Sequence, residues 1–213
     1  MGRNKTGCPL YLIIPADMKL DSVLQLADSG GFGTFACALL QSGRDEKVAR
    51  ADAKILLRFT RAANIPLLLE DDISAAAELG TDGVHIPALE ALYDEARRTL
   101  GDDAIIGVDC GLSRHAGLTL GEMGADYIAF NETANPAPGE TETGLEDMIA
   151  WWSQIVTIPC VAWDISSVDD ARRYADAGAD FIAMGNAIWT HSDGPARAAA
   201  QFSASLAAQQ VCA

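Results

Sequence analysis

Acidic and amide side chains follow short apolar runs again and again along this chain, and their types suit oxygen-ligand chemistry better than covalent catalysis. Asp17 comes after the first run, Gln41, Ser42 and Arg44 after the second, Glu70, Asp71 and Asp72 after the third, and Pro87 to Glu90 after the fourth. Asp109 with Cys110, Asn131 with Glu132, Asp164 with Ser166 and Ser167, and Gly185 with Asn186 follow the remaining four. Carboxylates gathered in one place repel one another unless a cation lies among them or some hold a proton. Hard oxygen ligands suit Mg2+, and no His/Cys cluster speaks for zinc. The rival reading of Glu70-Asp71-Asp72 is a cap and first-turn acid for a helix beginning at Ile73, which the helix dipole favours unaided. His85 lies inside an apolar run and reads as a hydrogen-bonded core residue, while His115 and His191 read as solvated. No Ser/His/Asp or Cys/His set is suggested by position, so hydrolysis through a covalent intermediate is not favoured.

The elements that must position these residues are legible as eight strand-length apolar runs. They are Leu10 to Pro15, Thr34 to Leu40, Ile65 to Leu69, Gly83 to Ile86, Ile105 to Val108, Tyr127 to Phe130, Pro159 to Trp163 and Phe181 to Met184. Each is almost continuously apolar, as expected of parallel strands covered on both faces. Helical segments alternate with them: Ser22 to Asp28, Asp45 to Ala63, Ile73 to Leu79, Ala88 to Leu100, Ser113 to Met123, Gly144 to Ile155, Ser167 to Ala177 and Pro195 to Gln209. Asp21 and Ser166 or Ser167 are the expected caps of the first and seventh. In the second, Lys47, Arg50, Lys54, Arg58 and Arg61 form a basic stripe opposite Val48, Ile55, Leu56 and Leu57, which reads as a solvated outer face.

An internal echo supports the count. Leu79-Gly80-Thr81-Asp82-Gly83, Met123-Gly124-Ala125-Asp126-Tyr127 and Ala177-Gly178-Ala179-Asp180-Phe181 share one pattern: helix end, Gly, small residue, Asp, strand. Glycine closes a helix in the left-handed conformation, so Asp82, Asp126 and Asp180 read as structural turn residues at the strand N-termini. Eight strand–helix pairs leave no room for a second domain. The expectation is a single (β/α)8 TIM barrel over residues 1–213, with 1–8 a short N-terminal tail and chemistry at the C-terminal strand ends. A doubly wound open sheet is the runner-up, but neither G-x-G-x-x-G nor G-x-x-x-x-G-K-[ST] occurs.

Composition narrows the partners. With 49% hydrophobic residues in 213 the chain can fill a core, and no run approaches the roughly 20 apolar residues of a membrane span. A net charge of -15, from 15 Lys+Arg against 30 Asp+Glu, disfavours nucleic acid and anionic membranes and leaves a small-molecule substrate. The apolar run behind the N-terminus is too short for a secretory signal. Cys8, Cys37, Cys110, Cys160 and Cys212 are odd in number and widely spaced, which points to free thiols in a cytoplasmic setting. Trp151 and Trp152 would mark the surface of a homo-oligomer, although one of the pair reads as core.

The order of motifs resembles the thiamine phosphate synthase and thiazole tautomerase superfamily. The resemblance is carried by Leu10-Tyr11-Leu12-Ile13-Ile14-Pro15, Ala63-Asn64-Ile65-Pro66-Leu67-Leu68-Leu69-Glu70-Asp71-Asp72 and Leu79-Gly80-Thr81-Asp82-Gly83-Val84-His85-Ile86. Ile105-Ile106-Gly107-Val108-Asp109, Gly124-Ala125-Asp126-Tyr127-Ile128, Gly144-Leu145-Glu146 and Ile158-Pro159-Cys160-Val161-Ala162 extend it over nearly the whole chain. It implies a synthase joining hydroxymethylpyrimidine diphosphate to thiazole phosphate with loss of pyrophosphate, through a carbocation-like pyrimidine. By position it implies Mg2+ ligands at Asp71, which matches a family acid, and at Glu90, which stands where the family has an Asp. Of the substrate or phosphate positions, Glu70 replaces an Asn that contacts the diphosphate, Asp109 replaces a Ser near it, and Gly185 and Asn186 match the segment that helps bind the thiazole phosphate. The strand-end residues Asn131, Asp164 and Ser166 complete the candidate binding set, and no catalytic residue is assigned.

This chain departs from the family's pattern at three strand ends. Where the family carries Gln, Arg and Lys after the second strand, Phe35-Ala36-Cys37-Ala38-Leu39-Leu40 stands here. The phosphate-binding Lys after the sixth strand has no counterpart from Asn131 to Thr143, and the paired glycines after the seventh are replaced around Trp163-Asp164-Ile165. A charge-assisted hydrogen bond to a diphosphate is worth about 1.5–3 kcal/mol, so three missing bases weaken its grip severely. The His of the tautomerase branch is replaced near Gly111, with His115 the nearest that could reach back. Lys19, Arg44 and Arg114 are the bases that could compensate. The alternative to the synthase is therefore a divergent barrel that binds or isomerises a cationic or neutral heterocycle, or a non-catalytic binding protein.

Overall fold

The apolar runs become eight strands that close on themselves. The computed structural model describes residues 7–43, 45–132 and 144–207. In chain order the elements are β1 (Leu10–Ile14), α1 (Leu20–Asp28), a 3-10 turn (Gly31–Thr34), β2 (Phe35–Leu40), α2 (Glu46–Ala63), β3 (Leu67–Glu70), α3 (Ile73–Leu79), β4 (Gly83–Pro87) and α4 (Glu90–Leu100). They continue with β5 (Ile105–Asp109), α5 (Arg114–Met123), β6 (Tyr127–Phe130), α6 (Leu145–Ile155), β7 (Cys160–Ala162), α7 (Val168–Ala177), β8 (Phe181–Met184), α8 (Asn186–Trp189) and α9 (Pro195–Ala207). All strand pairs are parallel, in the order β1 to β8, and β1 pairs with β8 to close a (β/α)8 barrel. Among the described residues no helix is long and apolar enough to cross a membrane.

Alternation along each strand divides the core in two. Leu10, Leu12 and Ile14 pack outward under the helices with Leu67, Val84, Ile106 and Trp152, whereas Tyr11 and Ile13 point into the barrel with Leu39, Leu68, Tyr127, Ala129 and Val161. Gly107 is the inward position of β5, and a Cβ there would collide with the Tyr127 ring; its bareness makes room for that tyrosine. The indole of Trp152 is fully buried and its Nε1 donates to the Ile158 carbonyl at 2.9 Å, so the second of the tryptophan pair is core. Trp151 is half-buried beneath the Arg114 guanidinium, 4.5 Å from its ring centroid.

The repeated Asp residues close the N-terminal rim. Asp82 accepts from the Leu67 N–H at 2.8 Å, Asp126 from Ile106 at 2.8 Å and Asp180 from Cys160 at 2.9 Å. In return each Asp N–H donates to the carbonyl of that same residue, at 3.0, 2.9 and 2.8 Å respectively. Each pair ties the start of one strand to the residue ahead of the next, in keeping with a structural turn.

Some expectations shift. Helix α1 begins at Leu20 with Lys19 at its N-cap, so Asp21 is a first-turn acid and not the cap; Ser167 does cap α7, accepting from the Asp170 N–H. Val48 is 49% exposed and does not join Leu56 and Leu57 in the core. Arg44, Cys212, the end of the last helix at Gln209 and most of the segment from Asn131 to Thr143 lie outside the described residues.

Candidate active site

Strand termini deliver the mouth residues to one cavity of about 570 Å3 at the C-terminal face of the barrel. Glu70, Asp109, Asn131, Asp164, Ser166, Gly185 and Asn186 all line it, joined by Asp17, Gln41, Glu132, Trp163, Asp170 and Tyr174. Six of these described lining residues are carboxylates, and none is Lys, Arg or His. Lys19 and Arg114 do not line it, and Arg114 is held over Trp151 instead.

The acidic triplet after β3 divides by local geometry. Asp72 caps α3, its Oδ1 accepting from the Ala75 N–H at 2.8 Å, in agreement with the helix-cap reading. Glu70 faces the mouth, fixed by the Ser42 N–H and Oγ, both at 2.9 Å, and by Gln41 Nε2 at 3.4 Å. Asp71 sits between them with φ 57 and lines a smaller neighbouring cleft that shares Glu70. Burial raises its pKa above the ordinary value, and the charges of Glu70 and Asp109 raise it further. Glu90 opens α4 and lines neither cleft.

Asp109 ends β5, where Asn131 Nδ2 donates to its Oδ1 at 2.6 Å and the Gly111 N–H at 3.0 Å. Burial raises its pKa; the Gly111 hydrogen bond works against that, and Glu70 adds to it. These carboxylates lie within each other's field, which either a retained proton or a cation would relieve. Among the described residues no group of three or more His, Cys, Asp or Glu is placed to hold a metal ion. The donors are hard oxygens, which fits Mg2+ held by one or two carboxylates together with substrate phosphate.

Beneath the mouth the barrel holds a buried aromatic stack. The Trp163 ring lies 4.2 Å from His85 at an interplanar angle of 8°. His85 Nδ1 is 3.0 Å from Tyr127 Oη, which is 3.0 Å from Tyr11 Oη. Burial depresses the His85 pKa to about 3 and pushes both tyrosine hydroxyls up, so the histidine is the hydrogen-bonded, neutral core residue its sequence position implied. Trp163, Tyr174 and Asp170 are lining residues that spacing did not single out. Trp163 is hidden by the apolar run that continues through it, whereas β7 ends at Ala162 and leaves Trp163 as the first residue of the rim. Nothing in the sequence marks Tyr174, which reaches the cavity from the second turn of α7 and meets Glu132 Oε1 at 3.5 Å.

A closed parallel eight-stranded barrel with this cavity at the C-terminal strand ends defines the chain as a (β/α)8 barrel. Residues 10–188 match the family model described as thiamine monophosphate synthase, and the chain belongs to that family. It is 37% identical over 201 residues to the thiamine-phosphate synthase of Rhodospirillum centenum, covering 92% of this chain and 97% of that one. With that of Erythrobacter litoralis it shares 35% identity, over 98% of this chain and 100% of the relative. Among solved structures, thiamine phosphate pyrophosphorylase from Pyrococcus furiosus superposes with a TM-score of 0.76 at 19% identity, over 97% of this chain and 98% of that one. At that identity the superposition speaks for the fold.

Proposed function

We propose that this protein works in thiamine biosynthesis as a synthase of the thiamine phosphate type, joining hydroxymethylpyrimidine diphosphate to a thiazole partner in the mouth cavity. Family membership over residues 10–188 supports the reading. The observation that carries it is that Glu70, Asp109, Gly185 and Asn186, the positions the resemblance assigns to substrate, line one cavity. In the reaction the methylene C–O bond breaks and pyrophosphate leaves with the electron pair. The thiazole nitrogen then supplies its lone pair to the methylene carbon, and the new C–N bond leaves a thiazolium cation with no proton transferred. Positive charge therefore develops between the Trp163 ring and a set of fixed carboxylates, which favours it where water would have to reorganise. Asn131 and Gly111 hold Asp109, and Ser42 and Gln41 hold Glu70, so neither must be oriented during the step.

Mg2+ belongs to the proposal: Asp71, in the field of Glu70 and Asp109, would hold it, with Glu90 the second acid that the resemblance implies, and the ion would neutralise the leaving diphosphate. We also place the protein in the cytoplasm, a setting supported by the thiols of Cys37 and Cys110, buried and outside any disulfide. The test is a single-turnover incubation, with protein in molar excess over pyrimidine diphosphate, Mg2+ present, and the thiazole supplied in parallel as its phosphate and as its alcohol. Thiamine phosphate or thiamine, with stoichiometric pyrophosphate, is expected. The acidic lining, free of described bases, favours a second reading, a barrel that binds a cationic or neutral heterocycle without condensing it. Saturable binding of thiamine with no product from either thiazole would establish that reading over the first.

A further inference from the structure

We propose that Asp164 is the specificity-determining residue at the β7–β8 end of the cavity, admitting the thiazole partner as its neutral alcohol and turning away the phosphate ester. The inference deepens the proposed function and rests on it. On either side of Asp164 the backbone is tied into the barrel: the Trp163 N–H donates to the Phe130 carbonyl and the Ile165 N–H to that of Ala183, both at 2.9 Å. Between these anchors Asp164 takes φ 52, the left-handed conformation that glycine adopts most readily. The carboxylate extends over Gly185, where its Oδ1 is 3.1 Å from the point a Cβ on that glycine would occupy. A bare glycine facing a cavity invites close approach of a ligand to the backbone, and here an acidic oxygen already stands over it.

The chemistry of that end follows from what can meet a carboxylate. Asp164 has no ion-pair or hydrogen-bond partner among the described residues, and the described cavity wall supplies no Lys, Arg or His to offset its charge. A phosphate brought to Gly185 would set its anionic oxygens against Oδ1 in a cavity already lined by Asp17, Glu70, Asp109, Glu132 and Asp170. A hydroxyl at the same place donates to Oδ1. The half-buried Trp163, next in sequence and on the same wall, offers a flat surface for a heteroaromatic ring.

Calorimetric titration of the thiazole alcohol and of its phosphate ester, each without pyrimidine so that binding is read without turnover, tests this in wild type, Asp164→Asn and Asp164→Gly. Circular dichroism checks that both variants are folded. Wild type is expected to bind the alcohol at least tenfold more tightly than the phosphate. Asp164→Asn should narrow that ratio by removing the charge, and Asp164→Gly should reverse it by also clearing the space over Gly185. A wild type that prefers the phosphate, or a ratio unchanged in both variants, overturns the role of Asp164 and leaves the proposed function standing. Binding of neither form to wild type at millimolar concentration overturns the proposed function, and the inference with it.

Discussion

Replacing Asp82 by Ala removes one clip of the N-terminal rim and leaves a buried donor without its acceptor. The Leu67 side chain is fully buried, and its N–H reaches the Asp82 carboxylate at 2.8 Å; the return bond from the Asp82 N–H to the Leu67 carbonyl, at 3.0 Å, survives the substitution. An unsatisfied buried N–H deprived of a charged acceptor costs about 1–3 kcal/mol, and because Asp82 itself is exposed, water recovers part of this, leaving about 1–2 kcal/mol. Asp82→Asn keeps an acceptor oxygen and loses only the charge, so its cost should be less than half as large. For a chain of this size the Ala variant should melt roughly 2–8 °C lower, with a urea midpoint reduced by roughly 0.5 M. Asp126→Ala should cost more than Asp82→Ala, since Asp126 also holds the Arg97 guanidinium at 2.9 Å. Equilibrium urea unfolding of the three variants, followed by circular dichroism, gives the order. If Asp82→Ala and Asp82→Asn unfold at the same midpoint as wild type, the carboxylate–amide bonds do not close the rim.

Three further outcomes can be measured on the same footing. Gly107→Ala drives a methyl into the Tyr127 ring and disturbs its hydrogen bonds with Tyr11 and His85, an overpacking cost of about 1–3 kcal/mol or more that urea unfolding should report. His85 has a folded pKa of about 3 against an ordinary 6.5, so the folded chain binds fewer protons than the unfolded chain below pH 6.5 and stability falls as pH drops. Between pH 7 and pH 4 this contributes a loss of about 3 kcal/mol, which His85→Gln should abolish; an unchanged acid limb in that variant would assign the loss elsewhere. Asp109 carries the opposite sign: its raised pKa means the folded state gains relative stability as pH falls through that value. Asp109→Asn should therefore be more stable than wild type at pH 7, with the advantage vanishing in acid, as thermal melts across pH will show.

The barrel was readable from sequence because strand and helix alternate cleanly and because the Gly-small-Asp junction recurs with a physical job at each of three strands. The site was readable only as a set of strand ends. Strands buried on both faces show no polar alternation, so nothing in Leu67-Leu68-Leu69-Glu70-Asp71 tells which of the two acids faces the mouth. Barrel register decides it, sending Glu70 to the cavity and Asp71 to the next cleft. A one-residue boundary matters for the same reason: with Trp163 read as strand, the ring that meets His85 is indistinguishable from the core residues around it. The short helix Asn186–Trp189 and the 3-10 turn Gly31–Thr34 leave no signature because each spans only four residues, too few for a period. The left-handed backbone of Asp164 is hidden too. Aspartate tolerates that conformation better than most residues but does not announce it as glycine does.

The central claim is that the mouth cavity carries out the condensation, and a side-by-side time course of wild type and Asp109→Asn tests it most directly. Both proteins are incubated with pyrimidine diphosphate, Mg2+ and either form of the thiazole, after circular dichroism has shown equal folding. Wild type is expected to form the coupled product in a reaction abolished by EDTA, and Asp109→Asn, which loses the charge facing the developing cation, to do so at least a hundredfold more slowly. Equal rates from the two proteins would contradict the account, because the product would then be made outside the cavity that Asp109 lines.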